Sequence, residues 1–556
     1  MAHDALERVF RYHDGTKHHF NRFAQSLGYL DWASQPRPFR AFDGAPLIEL
    51  PRTSPSSALP GAQLSYDRLY SAVPDAGVPL SIDTLGYFLR HALGLSAWKA
   101  YRDSRWALRV NPSSGNLHPT EAYVVTGAVE GLAQDSGVWH YAPDRHALER
   151  RCAFPGEAWE DAGVGAASDA FLVVLTSIHW RESWKYGERA FRYCQHDLGH
   201  AVAALRLSAA LCGWRMRILP AWSHRDVAAL AGIDRDEDFV DAEREEPACV
   251  LVVSRRHEGL LRAEPRADWL DGVRRGTWSG RASQLSQDHV AWTFIDEVAA
   301  ATTDPGHVDS PWQLPHARAV SAASTASSHA PPTGATVILQ RRSAVALDGA
   351  SFIGRERFLG MLARTLPGPD APWDAQWWSP RIHLAIFVHR VTGLEPGLYM
   401  LVRDEAARER LAAACEGQMP WTVAAEGMPL FLLRSGDCRA VAKRLSCGQD
   451  IAADGAFSLG MIADFEASLN EHGPSFYRHL FWESGMIGQV LYLEAEAAGV
   501  RGTGIGCFFD DPVHDLLGLQ GRAFQSLYHF TIGAPVDDSR LTTEPGYAWD
   551  VASYSL

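Results

Sequence analysis

Two short stretches of this sequence carry groups that could hold a polar ligand. The stretch Gly502-Thr-Gly-Ile-Gly506 has three glycines, and without Cβ atoms its backbone could approach and wrap around a bound group. The stretch Asn111-Pro-Ser-Ser-Gly-Asn-Leu-His-Pro119 offers hydroxyl and amide groups in a composition typical of a turn. The glycine pattern alone is equally well explained as a tight connection after a helix, and it does not follow a strand as a dinucleotide-binding loop would.

One sequence pattern occurs twice in the chain. Residues 191–232 align with residues 477–518 at a constant offset of 286 and without gaps, so that Gly199 matches Gly485. A repeat of this length indicates a fused pair of similar domains. The glycine stretch survives only in the second copy and the Pro-Ser-Ser-Gly-Asn stretch only in the first. We therefore expect the halves to face each other as an intramolecular pseudo-dimer that shares one composite site.

Length, composition and charge narrow the class of protein. A chain of 556 residues is too long for one core, and 46% hydrophobic with 21% charged residues describes an ordinary globular protein. The formal net charge of −14 argues against a nucleic-acid partner. No stretch has the length and apolarity of a membrane span or a leader peptide, so the expectation is a cytoplasmic protein with no membrane partner.

Cysteine and histidine spacing predicts neither a disulfide framework nor a metal site. The eight cysteines are scattered without CxxC spacing, which is typical of buried thiols in a reducing compartment. His383 and His389 share one face of a predicted strand but have no cysteine or carboxylate neighbours at ligand spacing.

The chain divides into three predicted regions. The first domain covers residues 1–254 and ends after an apolar strand over 248–253; a helix-containing linker covers 255–334, with a flexible part at 317–332 rich in Ala, Ser and Pro; and the second domain covers 335–556. Further predicted strands are 122–126, 170–176, 382–388 and 528–532. Predicted helices are 82–93, 197–212, 286–301, 355–366, 458–471 and 485–498. Several helices with few strands favour an α+β layer fold.

The motifs together resemble a known family. Arg109-Val-Asn-Pro-Ser-Ser-Gly-Asn-Leu-His-Pro-Thr-Glu121, Lys185-Tyr-Gly187 and Arg341-Arg-Ser343 resemble the nitroreductase superfamily, most closely its SagB-type branch of flavin-dependent azoline dehydrogenases. Members are intertwined homodimers with FMN in two interface sites. The resemblance implies two fused nitroreductase-like domains, tandem duplicated in one α+β chain, each with an antiparallel sheet covered by helices. One FMN is expected at their interface.

The resemblance also implies which residues hold FMN. Arg341, Arg342 and Ser343 match the family's N-terminal phosphate-binding motif, and Arg540 matches its C-terminal basic residue, because guanidinium groups suit a phosphate dianion. Val345 stands where the family has another arginine, so the contacts must differ there. From spacing alone, the arginine pair would be an ordinary solvated helix start.

The ring end of the cofactor has its own matching residues. Gly504 and Gly506 match the backbone that bonds isoalloxazine N5 and O4. The residues that match the loop closing over the ring from the partner subunit are Pro112, Ser113, Ser114 and Asn116.

Lys185 and Tyr186 match the catalytic pair of the SagB-type enzymes. Oxidising an azoline removes a proton from one carbon and a hydride from its neighbour, which requires a base and a proton donor beside the flavin. The second copy has Glu471 and His472 at the same offset, so the pair occurs once. Without the resemblance, an exposed lysine beside a packed tyrosine would be the ordinary interpretation.

The leading hypothesis is therefore an FMN-dependent dehydrogenase or oxidase of natural-product biosynthesis. Its substrate would be a thiazoline- or oxazoline-like heterocycle on a small molecule, a peptide or a carrier. Two alternatives stay open: an NAD(P)H-dependent nitro or quinone reductase, and a non-catalytic flavin-binding partner protein. The sequence also leaves further oligomerisation open.

Overall fold

The structure is a computed structural model, and it describes residues 2–52, 63–71, 77–164, 169–256, 263–307, 332–415 and 419–553. The helices up to residue 307 are α1 (Ala2–Gly15), α2 (Ile82–Ala92), α3 (Gly156–Asp161), α4 (His179–Tyr186), α5 (Ala190–Leu211), α6 (His224–Ala231), α7 (Ala267–Arg274) and α8 (Thr293–Ala301). The strands over the same range are β1 (Phe42–Asp43), β2 (Leu47–Glu49), β3 (Leu95–Tyr101), β4 (Ser104–Arg109), β5 (Thr120–Thr126), β6 (Ser136–Ala142), β7 (Ala147–Phe154), β8 (Ala170–Ser177), β9 (Arg215–Ile218), β10 (Glu246–Ser254), β11 (Thr277–Trp278) and β12 (Arg281–Ala282).

The second half follows from residue 332. Its helices are α9 (Gly334–Gln340), α10 (Arg355–Thr365), α11 (Arg408–Ala414), α12 (Arg439–Leu445), α13 (Ile451–Asp454), α14 (Phe465–His472), α15 (Phe476–Ala497) and α16 (Asp510–Leu517). Its strands are β13 (Ile353–Gly354), β14 (Ile382–Val388), β15 (Val391–Thr392), β16 (Gly397–Leu401), β17 (Thr422–Val423), β18 (Leu430–Ser435), β19 (Phe457–Asp464), β20 (Arg501–Ile505), β21 (Phe524–Gly533) and β22 (Thr542–Pro545).

Each half is built on an antiparallel sheet of the same topology. The first sheet contains the strand order β7-β6-β5-β8-β10-β9, and the second contains β18-β16-β14-β19-β21-β20. The central strands β5, β8, β14 and β19 are buried along their whole length because helices cover both faces. The expected α+β fold with two similar domains fused in one chain is confirmed.

The repeat offset is conserved in the elements themselves. Helices α4, α5 and α6 begin and end 286 residues before α14, α15 and α16. Helices α5 and α15 have 22 residues each and are buried over nearly their whole length, because they pack on each other between the sheets. The pseudo-dimer interface is therefore the centre of the molecule.

The halves also exchange segments. Strand β22, near the end of the second half, pairs antiparallel with β3 of the first. Helix α1 reaches the other way, since His13 Nε2 lies 3.1 Å from Gln525 Oε1 and Arg522 forms an ion pair with Asp14 at 2.7 Å. Strand β22 and helix α1 therefore enclose the interface between the halves on two sides.

Several predicted elements need correction. The prediction of one helix over 458–471 is wrong: strand β19 runs to Asp464 and α14 follows, because β19 is buried along its whole length and pairs with both β14 and β21. The glycine stretch is the edge strand β20, paired with β21, and is not a loop. The helix predicted over 286–301 begins only at Thr293, whereas those predicted over 197–212 and 485–498 begin about two turns earlier.

The other predicted elements are confirmed to within a few residues. The flexible part predicted at 317–332 lies, apart from Pro332, outside the described residues. Among the described residues, we find no helix with the length and apolarity needed to span a bilayer.

Candidate functional site

A cavity of about 650 Å³ lies between the two halves. Both copies contribute to its wall, as the one-sided survival of the motifs predicted. The sequence-predicted residues that line it are Pro112, Ser113, Ser114, Asn116, Tyr186, Arg341, Arg342, Ser343, Gly504 and Gly506. Lys185 and Arg540 are not part of the lining.

The Pro-Ser-Ser-Gly-Asn stretch is a loop braced by its own side chains. Gly115 and Asn116 both have positive φ (58° and 61°), which favours glycine and asparagine there. Asp197 on α5 accepts hydrogen bonds from the backbone N–H and the hydroxyl of Ser114, at 3.0 and 3.1 Å. Asn116 donates through Nδ2 to the Ala107 carbonyl at 2.8 Å. The Asn116 amide therefore holds the loop on strand β4, a role that the sequence did not suggest.

Lys185 and Tyr186 lie against this loop at the end of α4. A Cβ atom on Gly115 would stand 2.5 Å from the Tyr186 hydroxyl and 3.2 Å from Lys185 Nζ, so only glycine lets the loop pack on the pair. The Tyr186 ring meets that of Tyr193 edge-on at 4.7 Å between centroids. Burial raises the pKa of Tyr186 well above its usual range, so its hydroxyl stays protonated.

Two buried carboxyls stand behind this pair, and sequence reasoning missed both. Glu182, one turn before Tyr186 on α4, interacts with Asp197, and each lies close to the serine loop. Burial raises the pKa of Asp197 to about 7, and burial with the nearby Asp197 raises that of Glu182 well above its usual range. At least one proton is therefore held between the two carboxyls near neutral pH.

Four of the basic residues that line the cavity are treated as one group: Lys99, Arg341, Arg342 and Arg501. Partial burial lowers the pKa of Lys99, and repulsion by Arg342 and Arg501 lowers it further. Arg341 is buried with its guanidinium 5.0 Å from the centre of the Tyr492 ring, and its Nε has no hydrogen-bond partner among the described residues. This group suits an anion such as a phosphate, which would relieve the repulsion and pair with the guanidinium groups.

Arg540 does not join this group. Its guanidinium bonds both oxygens of Asp538, at 2.8 and 2.7 Å, and its side chain is 72% exposed. The turn that follows β21 presents the aspartates Asp537 and Asp538 to the cavity edge, and Arg540 neutralises the second. Arg501, one residue before the glycine stretch, lines the wall instead.

Gly504 on β20 and Gly506, just after its end, also make room for tyrosine side chains. A Cβ on Gly504 would stand 1.9 Å from the Tyr528 hydroxyl, and one on Gly506 would stand 2.5 Å from the Tyr193 ring. The N–H of Gly504 already donates to the hydroxyl of Tyr492 at 2.9 Å. These glycines therefore let a wall of tyrosines close on the strand.

The equivalent place on the other side of the interface is filled. Pro220 stands where Gly506 stands in the second copy, and its carbonyl accepts the backbone N–H of His307 at 2.6 Å. The rings of His307 and Trp377 pack on each other with their centroids 4.8 Å apart. The Trp377 ring also contacts that of His479, the counterpart of Tyr193, with 5.3 Å between centroids. Among the described residues, aromatic side chains thus pack together at the place equivalent to the cavity wall.

Sequence reasoning missed several residues of the site. Arg501 had a signal, since it matches Arg215 in the repeat, but Lys99 belongs to an ordinary hairpin without a motif. The structure also brings together His18, Cys447 and Cys507, whose ligand atoms all lie within 4.8 Å of one another. Because these three residues are far apart in sequence, the cysteine spacing could not reveal them.

The residues present fit FMN. Ligand cavities for small molecules enclose roughly 300–1,000 Å³, and this one falls in that range. Its basic group offers an anion site with an unpartnered Arg341 Nε, and Tyr186, Tyr193 and Tyr528 offer apolar faces for a flat ring. The anion site lies on residues from both halves, since Lys99 comes from the first and Arg341, Arg342 and Arg501 from the second.

Comparisons with known proteins agree with this architecture. The model of the family described as "Nitroreductase family" matches residues 79–243 and 390–534, which together make up more than half of the chain. The match to a crystal structure of a protein from Anabaena variabilis covers 95% of this chain and 99% of that protein's chain. Its TM-score is 0.67 at 21% sequence identity, which shows a shared fold. A Methanocaldococcus jannaschii protein is 26% identical over 141 residues, 24% of this chain and 66% of its own length.

Both of those proteins carry the name "putative nitroreductase". The family match covers one segment in each half, at places where the two sheets have the same strand order. The chain therefore belongs to the nitroreductase family, a family of oxidoreductases that are in general flavin-dependent.

Proposed function

We propose that the chain binds one FMN in the cavity between its halves and oxidises a thiazoline- or oxazoline-like ring to the azole, as SagB-type enzymes of natural-product biosynthesis do. The observation that carries this proposal is the contact of Gly115 with both Lys185 and Tyr186 at the cavity wall. A base and a proton donor are thus held together beside a cavity that also has an anion site.

Different residues would bind the phosphate of FMN, contact its ring and act on the substrate. Arg341, Arg342, Lys99 and Arg501 would hold the phosphate, and the tyrosine wall would flank the ring. When bound, FMN supplies the hydride acceptor that no side chain of this chain provides. Lys185 would take the proton from the substrate carbon, and the Tyr186 hydroxyl would orient the substrate by donating a hydrogen bond.

The carboxyl pair supports this assignment of Lys185. Because burial raises the pKa of Glu182, that carboxyl is held protonated and does not fix the Lys185 amine in an ion pair. Lys185 Nζ can therefore approach a substrate bound beside the serine loop. The substrate could be a free heterocycle or one carried on a peptide or a carrier protein.

A comparison of electron donors tests the proposal. The purified flavin-loaded protein is mixed without oxygen either with a thiazoline-containing peptide or with NADPH, and the flavin absorbance is followed. We expect the thiazoline to bleach the flavin and to leave as a thiazole that is lighter by two hydrogens. Bleaching by NADPH alone, followed by reduction of a nitro compound or a quinone, would instead establish a reductase. Failure to purify with flavin would favour a protein without turnover, and failure to take up added FMN would refute the proposed cofactor.

A further inference from the structure

Cys447 and Cys507 lie in contact beside the cavity, although 60 residues separate them. Their sulfur atoms are 2.6 Å apart, and His18 Nδ1 lies 3.7 Å from the sulfur of Cys507. Cys507 follows Gly506 directly and lines the cavity. Cys447 lies in the turn between α12 and α13, where its φ is 55°. Neither cysteine has a part in the proposed azoline oxidation.

The two thiols differ from most of the others in the chain. Five cysteines are buried, whereas Cys438, Cys447 and Cys507 are partly exposed. Contact with Cys447, helped by His18 and Arg189, lowers the pKa of the Cys507 thiol to about 5, and the pKa of Cys447 is raised. Because His18 Nδ1 hydrogen-bonds the sulfur of Cys507, Cys507 carries the thiolate and Cys447 keeps its proton. A thiolate beside a protonated thiol is the arrangement that thiol–disulfide exchange requires.

The sulfur–sulfur distance favours a disulfide over a metal centre. Two thiolates on one tetrahedral zinc ion, with Zn–S bonds of about 2.3 Å, stand roughly 3.8 Å apart. A disulfide bond needs about 2.05 Å. The pair at 2.6 Å is already closer than a shared metal would leave it, so a small movement of the Cys447 turn would close the bond.

We propose that Cys447 and Cys507 form a redox-active dithiol that closes to a disulfide by exchange with a low-molecular-weight disulfide such as glutathione disulfide. The Cys507 thiolate attacks the external S–S bond, forms a mixed disulfide and releases one thiolate. Cys447 then loses its proton and attacks the Cys507 sulfur, which expels the second thiolate. Two protein thiols and one external disulfide thus become one protein disulfide and two external thiols, with two electrons passing to the external molecule.

Closure of the bond would act on the cavity wall. Gln449, two residues after Cys447, lines the cavity and donates through Nε2 to the Cys507 carbonyl at 3.1 Å. The disulfide would tie the turn that carries Gln449 covalently to the segment that follows β20. The redox state of the pair is thereby coupled to the shape of the site, whichever substrate the site takes.

The test is peptide mapping of the full chain after incubation with glutathione mixtures of increasing oxidation. Remaining thiols are alkylated, and trypsin places the three partly exposed cysteines on separate peptides, 435–439, 445–478 and 502–522. We expect the last two peptides to become cross-linked while Cys438 stays alkylated. The Cys447→Ser variant should instead stop at a mixed glutathione disulfide on Cys507, because it lacks the second thiol. Cys438→Ser is the matched control and should behave as the unmodified chain.

Reaction rates provide a second measurement that needs no variant. At pH 6 we expect iodoacetamide to label Cys507 roughly tenfold faster than Cys438, because the larger thiolate fraction outweighs the lower nucleophilicity of that thiolate. Absence of the cross-linked peptide at every glutathione ratio would overturn the proposal. So would stoichiometric zinc in the purified protein that is lost with Cys507→Ser, since the cluster would then be a metal site. Neither result depends on flavin binding or on azoline turnover.

Discussion

Gly199 and Gly485 meet where the two long helices cross. A Cβ atom on Gly199 would stand 2.1 Å from the backbone carbonyl oxygen of Trp482, and one on Gly485 would stand 2.2 Å from that of His196 and 2.9 Å from the Gly199 Cα. The two glycines are equivalent in the repeat, so the crossing lies on the pseudo-twofold axis. Close approach of backbones there is what lets α5 and α15 form the shared interface.

We expect Gly485→Ala to destabilise the protein, because backbone atoms cannot move aside cheaply. The loss should be on the order of 1–3 kcal/mol or more in the free energy of unfolding, measured by urea denaturation. Gly360→Ala is the matched control, since nothing lies within 4 Å of the Cβ that it would add on helix α10. That change should be neutral or stabilise by roughly 0.5–1 kcal/mol. Equal stability of the two variants would contradict close packing at the crossing.

We predict one FMN per chain. Pro220 replaces Gly506 in the first copy, and among the described residues the rings of His307, Trp377 and His479 pack together at the equivalent place. Flavin released from the denatured protein, measured by absorbance against total protein, should give a ratio near one. A ratio near two would show that the filled side opens to bind cofactor.

Loss of a basic side chain should weaken FMN retention. We expect Lys99→Ala and Arg342→Ala each to cost about 1.5–3 kcal/mol, or roughly 10- to 150-fold in Kd, by removing a charge-assisted contact to phosphate. Arg217→Ala, at the first-copy position that matches Thr503, and Arg540→Ala, at the exposed ion pair with Asp538, should leave retention unchanged. Fluorescence titration of the apoprotein with FMN measures all four. A larger loss with Arg217→Ala or Arg540→Ala would refute the assignment.

We expect Lys185→Ala to lower azoline turnover without weakening FMN binding. The variant should remain folded and yellow, because Lys185 is not assigned to hold the cofactor, while azoline turnover falls by roughly 10²–10⁴. Tyr186→Phe should also retain flavin and lose turnover. Glu471→Ala and His472→Ala, at the matching second-copy positions, are the controls and should change turnover little. Unchanged turnover in Lys185→Ala would restrict the likeness to SagB-type enzymes to the fold and would favour the reductase.

The Asp197 carboxyl should make stability depend on pH. Folding raises the pKa of Asp197 to about 7, so the protonated carboxyl contributes to the free energy of unfolding. This stabilisation is fully present below the unfolded pKa near 4 and is lost as pH rises through 7. We expect Asp197→Asn to lessen the fall in unfolding free energy between pH 5 and pH 8, measured by urea denaturation at both values. Asp43→Asn, which changes an exposed carboxylate on β1, should keep the slope of the unmodified chain. An unaltered slope in Asp197→Asn would mean that Asp197 is ionised throughout.

The sequence by itself determined the duplication and the division of motifs between the copies. The constant offset of 286 residues reappears in the bounds of three helix pairs, because insertions would disturb the packing of α5 on α15. The predicted composite site follows from which motifs each copy retains. The spacing of motifs along the sequence therefore predicts which of them share a site, and the family resemblance predicts what each residue does there.

The tertiary structure alone decided which distant side chains share the cavity. Lys99 joins Arg342 and Arg501 because a hairpin of the first half is paired with β22 of the second, and Arg540 turns away because Asp538 is its nearer partner. Cys447 and Cys507 meet only where the turn after α12 packs beside the end of β20. Such contacts depend on how whole elements pack, and the free energy of that packing is spread over many side chains, so no short pattern in the sequence records it.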